Sequence, residues 1–129
     1  MSEGDHAVRI FKNAGFRRFA RRERMTDKTL RDAVAHAENG MIDADLGGNV
    51  IKQRISRPGQ GKSGGYRTVI VFRKGDRAFF VYGYAKSELD NIDQGETDAF
   101  KRAAQALLAL SDEQIQALID NGALTEVTP

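Results

Sequence analysis

From Val50 to Lys86 the apolar residues alternate with polar ones at every second position, whereas before Gly40 and after Thr97 they recur at three-and-four spacing. This change of period restricts the fold most, because side chains two apart share a strand face and side chains three and four apart share a helix face. Three strand-like runs follow from it. In the first, Val50, Lys52 and Arg54 fall on one face and Ile51, Gln53 and Ile55 on the other. The runs Tyr66–Arg73 and Arg77–Lys86 are rich in Val, Phe, Tyr and Thr and read as a hairpin around Lys74-Gly75-Asp76. Simple alternation puts Arg67, Val69, Val71 and Arg73 on one face of the second run, and groups Phe80, Tyr82, Tyr84 and Lys86 on the third. Between the first two runs, residues 57–65 (RPGQGKSGG) hold four of the thirteen glycines and one of the two prolines, the composition of a long loop.

Helical patterns flank this block. Asn13 to about Arg24 places Phe16, Phe19 and Ala20 on one side and a row of arginines on the other. Thr26 suits an N-cap, and Leu30, Ala33, Val34 and Ala37 form a second stripe that stops at Asn39-Gly40. After the sheet, Thr97 to Leu110 predicts a helix burying Phe100, Ala103, Ala104, Leu107 and Leu108, and Ser111 with Gln114 has capping-box spacing for a short last helix. The segment before Asn13, with Val8 and Ile10 alternating, reads as a strand or a flexible arm. The order is helix-helix-sheet-helix, an α+β chain forming a single domain over residues 1–129, with its core at about 11–110 and a helical extension at 111–129.

Charge narrows the function. The formal net charge of +2 hides a division: residues 1–86 carry 18 Lys and Arg against 9 Asp and Glu, and residues 87–129 carry 2 against 9. A basic body suits a polyanion, since clustered cations neutralise phosphates and release counterions, so nucleic acid is the leading partner class. With no cysteine, thiol nucleophiles, disulfides and thiolate zinc sites drop out. The apolar stretches are far shorter than the roughly 20 residues a membrane helix needs, and the N-terminus lacks a signal-peptide core, so a soluble cytoplasmic protein without membrane contact is expected.

Among possible chemistries, a phosphate-binding P-loop fails at GQGKSGG. Ser56 stands where its first glycine is required, and a strand follows in place of a helix. His6 and His36 lack ligand partners at metal spacing, and Asp43 and Asp45, before a glycine turn, read as loop caps. What remains is cationic: Lys52, Arg54, Arg57, Lys62, Arg67 and Lys86, with Tyr82 and Tyr84 nearby. If they converge, they suit an RNA 2′-hydroxyl attacking its own adjacent phosphate, because the nucleophile comes with the substrate and the protein need only orient, move protons and neutralise charge. Arg grips two phosphate oxygens with its planar fork, a lysine among cations can transfer protons, and Tyr can stack a base. No metal or cofactor is required for such a reaction.

The segments IKQRISRPGQGKSGGYRTVIVF and FFVYGYAKSELDNI resemble the RelE/ParE superfamily of bacterial toxins, nearest its HigB-like branch, over roughly Phe11 to Leu110. The most specific pieces are GKSGGYR entering one strand and YAKSE ending the next. The resemblance implies two N-terminal helices packed on a curved antiparallel sheet of three to four strands, with C-terminal helices. It also implies cleavage of messenger RNA, usually on the ribosome, and an antitoxin partner, often with a helix-turn-helix domain. By position, Arg67 looks like the phosphate-binding arginine and Lys86 occupies the later basic position, while Lys52, Arg54 and Lys62 match more loosely. The expected catalytic set is therefore Arg67, Lys86, Lys52 and Lys62, with Arg54, Arg57, Arg73, Tyr82 and Tyr84 contacting RNA. Some relatives carry a catalytic tyrosine where this chain has Asn91, Ile92 and Asp93, which leaves the general base open. Two other readings stand beside this one: a ParE-like inhibitor of DNA gyrase, and an inactive binding module on the same fold.

Overall fold

The computed structural model describes residues 8–57, 61–85 and 94–129. Among these the chain runs β1 (Arg9–Asn13), α1 (Ala14–Arg22), α2 (Asp27–Glu38), β2 (Ala44–Gly47), β3 (Val50–Arg57), β4 (Gly61–Arg73), β5 (Arg77–Ala85), α3 (Gln94–Leu108), α4 (Asp112–Asp120) and β6 (Leu124–Glu126). The strands make one sheet in the order β2-β3-β4-β5-β1-β6. The α+β class and the helices on either side of the strand block agree with the sequence.

The sheet itself corrects the expectation of three to four antiparallel strands. It has six among the described residues, and it is mixed, because β1 lies parallel to β5 while β6 runs antiparallel to β1. The opening segment explains this. Phe11 is fully buried in one apolar layer and Ile10 in the other, so both faces of the strand need cover, and a place inside a sheet flanked by helices on both faces supplies it. The glycine-rich loop also proves shorter than residues 57–65. β4 already begins at Gly61, which pairs with Arg57 after a register shift beyond Ile55. Glycine accepts extended backbone as well as turns, and pairing satisfies peptide groups that a loop would leave to solvent.

Helices cover both faces. On one, Phe16, Phe19 and Ala20 of α1 and Leu30, Ala33, Val34 and Ala37 of α2 pack on Ile10, Ile51, Ile55, Tyr66, Ile70, Phe72 and Phe80. On the other, Ala104 and Leu108 of α3 and Ile115 of α4 pack on Phe11, Val50, Val69, Val71 and Phe79. Each such side chain contributes about 1.5–3 kcal/mol by leaving water. The caps follow the sequence: Thr26 accepts from the Thr29 amide, and Ser111 and Gln114 bond each other's backbone in a capping box. Helix α3 starts earlier than Thr97, at Gln94.

One irregularity orients everything that follows. The register of β4 with β5 slips between Val69, opposite Tyr82, and Ile70, opposite Phe80, leaving Val81 as the extra residue of a bulge. Asn13 holds this point from two sides: its Oδ1 accepts from the Phe16 amide at 2.7 Å, capping α1, and its Nδ2 donates to the Val81 carbonyl at 3.1 Å. A one-residue slip exchanges faces. Phe80 therefore lies beneath α1, whereas Tyr82 packs against Phe100 of α3 on the opposite side, with ring centroids 5.9 Å apart. Alternation alone groups Phe80 with Tyr82, Tyr84 and Lys86; the bulge separates Phe80 from Tyr82 and Tyr84, and Lys86 lies outside the described residues.

The slip also turns Gly83 toward α1, where a Cβ would stand 2.4 Å from the Phe19 ring and 3.0 Å from that of Phe16. Both rings are themselves packed against buried neighbours. Gly83→Ala is expected to destabilise the fold by about 1–3 kcal/mol through overpacking. Urea unfolding monitored by circular dichroism would measure it, and an unchanged midpoint would mean that α1 can lift from the sheet at no cost.

Candidate nucleic-acid interface

The bulge assembles two cross-strand rows on the face shared with α3. Arg54, Arg67 and Tyr84 stand opposite one another on β3, β4 and β5, and Lys52, Val69 and Tyr82 form the next row. Four of the expected cations and aromatics from three strands thus meet around Arg67. Arg73 does not. It lies six residues along β4 from Arg67, about 20 Å away, and pairs with Asp76 at 3.1 Å across the hairpin turn. The side chains of Arg57 and Lys62, and the whole of Lys86, His6 and residues 91–93, lie outside the described part of the chain. His36 sits on an exposed face at the end of α2.

Two arginines directly opposite each other repel, and Asp43 resolves the conflict. Its Oδ2 lies 2.6 Å from Nη1 of Arg67, and its Oδ1 is 3.7 Å from Nη2 of Arg54. The carboxylate is held in place by a buried amide on the other side of β3. Gln53 Oε1 accepts from the Asp43 amide at 3.0 Å, and Gln53 Nε2 donates to the carbonyls of Ala33 and Met41 at 3.0 and 2.9 Å. The loop-cap reading of the two aspartates therefore holds for Asp45, whose Oδ1 accepts from the Gly47 amide, and is corrected for Asp43, which holds the arginine pair. No spacing in the sequence marks this role, because it depends on the short strand β2 pairing beside Lys52.

Below this clamp two donors face inward without partners. Nε of Arg67 and the hydroxyl of Tyr84 are buried and make no hydrogen bond among the described residues. They belong to directly opposed residues, Arg67 and Tyr84. Burial pushes the Tyr84 phenol above its ordinary value. The Arg67 charge opposes that shift, and Asp43, Tyr82 and Glu96 add to it. Tyr84 is thus a protonated donor at neutral pH. Around this pair stand groups that solvent reaches: Tyr82, 36% exposed, and the Arg54 side chain, 37% exposed. Chemically, this cluster gathers hydrogen-bond donors, cations and an aromatic ring on one sheet face, a set suited to an anionic oxygen and a neighbouring flat ring. Phe100 and Glu96 of α3 complete its side, and the sequence reading had assigned neither to the site.

The helix-flanked mixed sheet thus carries an arginine and tyrosine cluster whose chemistry suits phosphate oxygens. The comparison with protein families is more specific: the family described as the RelE toxin of the RelE/RelB toxin-antitoxin system matches residues 8–127. The chain belongs to the RelE toxin family, and membership implies an antitoxin partner. No curated protein matches the chain. Among the described residues no helix is long and apolar enough to cross a membrane.

An unpartnered buried hydroxyl is a cost to the fold. Tyr84→Phe is therefore expected to leave thermal stability unchanged or to raise it by up to about 1 kcal/mol, while weakening whatever this cluster binds. The pH dependence has a definite sign. With the folded pKa above the unfolded value of about 10, Tyr84 contributes stability below pH 10 that disappears as pH rises through the folded value. Thermal melts from pH 7 to 11.5 should show a steeper alkaline decline for the native chain than for Tyr84→Phe. Parallel declines would place the phenol in water.

Proposed function

We propose that this RelE-family chain is the toxin of a type II pair and acts as a metal-independent endoribonuclease. It cuts messenger RNA, in association with the ribosome, in the cytoplasm. The observation that supports this reading best is the pair of inward donors, Arg67 Nε and Tyr84 Oη, beside cationic Arg54 and Lys52. In the reaction the 2′-oxygen bonds to the adjacent phosphorus, the bond from phosphorus to the 5′-oxygen breaks, one proton leaves the 2′-hydroxyl and one reaches the departing oxygen. The products are a 2′,3′-cyclic phosphate and a 5′-hydroxyl.

Arg67 and Tyr84 would donate to the phosphate oxygens as charge builds, while Asp43 keeps the guanidinium from swinging away. Tyr82 offers a ring on which a base can stack. Proton transfer falls in this reading to Lys52 and, carried over from the family resemblance, to Lys62 and Lys86, with Arg57 and Arg73 as outlying RNA contacts. The same resemblance supports the HigB-like branch and an antitoxin with a helix-turn-helix domain.

Primer extension on cellular RNA after brief induction, run beside a gyrase supercoiling assay, tests this. Discrete cuts within translated regions with normal supercoiling are expected. Inhibited gyrase without cuts would transfer the chain to the ParE-like reading, and neither effect would leave a binding module. Arg67→Ala and Lys86→Ala should each slow cleavage about 100-fold or more and relieve growth arrest, with circular dichroism unchanged; full toxicity in both would remove this assignment.

A further inference from the structure

The outer face of α1 carries more positive charge than the fold pairs. Phe16, Phe19 and Ala20 turn inward, Arg18 and Arg21 occupy the opposite side, and Arg17 and Arg22 flank it, Arg22 lying over the Phe19 ring at 5.7 Å. Arg17 with Arg21, and Arg18 with Arg22, stand four apart, an arrangement of like charges that weakens a helix. No acidic residue lies in the first turn to offset it. The single carboxylate of the segment, Glu23, accepts from the Tyr66 hydroxyl at 2.6 Å and is 3.5 Å from Arg22. Arg17 reaches only the Thr125 hydroxyl, at 3.3 Å, and its Nε is buried without a hydrogen-bond partner among the described residues. Arg18, Arg21 and Arg24 form no ion pair among the described residues.

The helix end adds to this. The Met25 amide donates to the Ala20 carbonyl at 2.8 Å and the Arg24 amide to that of Arg21 at 3.2 Å, a Schellman ending that puts Arg24 at φ 58. Glycine fits that position without strain, yet the chain places a fifth arginine there. The neighbouring α2 is balanced by comparison, with Lys28 and Asp32 paired at 2.9 Å.

Two features select the partner. The face has no apolar anchor, since the exposed large hydrophobics among the described residues are Met41 and Tyr82, neither of them on α1. It therefore lacks the desolvated centre that protein interfaces depend on. Its guanidinium groups, planar forks suited to phosphate oxygens, recur about 6 Å apart along the helix, a spacing comparable to that of successive phosphates in a strand.

We propose that the outer face of α1, extended by Arg24, binds the phosphate backbone of RNA at a surface separate from the Arg67–Tyr84 cluster. The helix covers one face of the sheet and the Arg67–Tyr84 cluster lies on the other, so the two engage different RNA segments, one as anchor and one as the strand presented to the cluster. The choice of RNA over DNA rests on the ribonuclease reading. The binding itself does not.

The experiment reads binding without cleavage. A fluorescent RNA hairpin, 2′-O-methylated throughout and so lacking the nucleophile, is titrated with the full chain carrying Arg18→Gln, Arg21→Gln and Arg24→Gln together. Affinity at low salt should fall about 10- to 100-fold, and the slope of log affinity against log salt should shrink by about 2 to 3. The thermal midpoint should hold or rise, and the matching triple Arg→Lys chain should keep most of the binding. Unchanged affinity and slope in the Gln triple overturn the proposal. So does retained RNA binding with lost antitoxin binding, which would make the face a protein interface, and so does tighter binding of a DNA hairpin of the same sequence. Absence of cleavage by the native chain would count against the ribonuclease reading alone.

Discussion

The hydrogen bond from Asn13 to the Val81 carbonyl fixes which way strand β5 faces. Val81 is the surplus residue of the bulge, and its carbonyl would otherwise be left outside the ladder. The same asparagine ends β1 and caps α1, so the entry of the first helix, the middle of the sheet and the facing of both tyrosines are tied to one side chain. Without the slip, Tyr82 and Tyr84 would lie under α1, where Phe16 and Phe19 leave room only for Gly83. Arg67 would then have no aromatic neighbour on its own face.

Electrostatics on that face are arranged at some expense to stability. Opposed arginines on β3 and β4 are tolerated because Asp43 bridges them, and Asp43 is placed by a fully hydrogen-bonded Gln53 that is 4% exposed on the other side of the strand. The donors of Arg67 and Tyr84 that remain buried and unpartnered detract from folding in a way the apolar layers must offset. Local violations of this kind collect where a protein does its work.

Much of the fold was legible because its signals are local. Thr26 and Ser111 announce their helices by cap chemistry, and the two faces of β3 follow from Ile51, Gln53 and Ile55 alternating with Val50, Lys52 and Arg54. Pairings between distant segments left no such trace. The parallel alliance of β1 with β5, the edge strands β2 and β6 and the one-residue slip at Val81 depend on partners that no window of sequence contains. The site shares this division. Lys52, Arg54, Arg67, Tyr82 and Tyr84 could be collected by residue type, but Asp43 as the arginine bridge needed the β2 pairing, and the separation of Arg73 needed the strand's length.

Strand β1 lies between β5 and β6, and Asn13, at its end, pairs with Leu124. The residue that sets the bulge thus lies far along the chain from the neighbour that completes its surroundings. A chain emerging from the ribosome can form α1 and α2 promptly, yet β1 must wait for residues 77–85 and then for 124–126 before it is enclosed. The Arg67–Tyr84 cluster therefore takes its final form only after strands from distant parts of the chain have met. A truncated product of this gene would carry the arginines and tyrosines without the geometry that brings them together, which separates the presence of the chain's chemical groups from the onset of its activity.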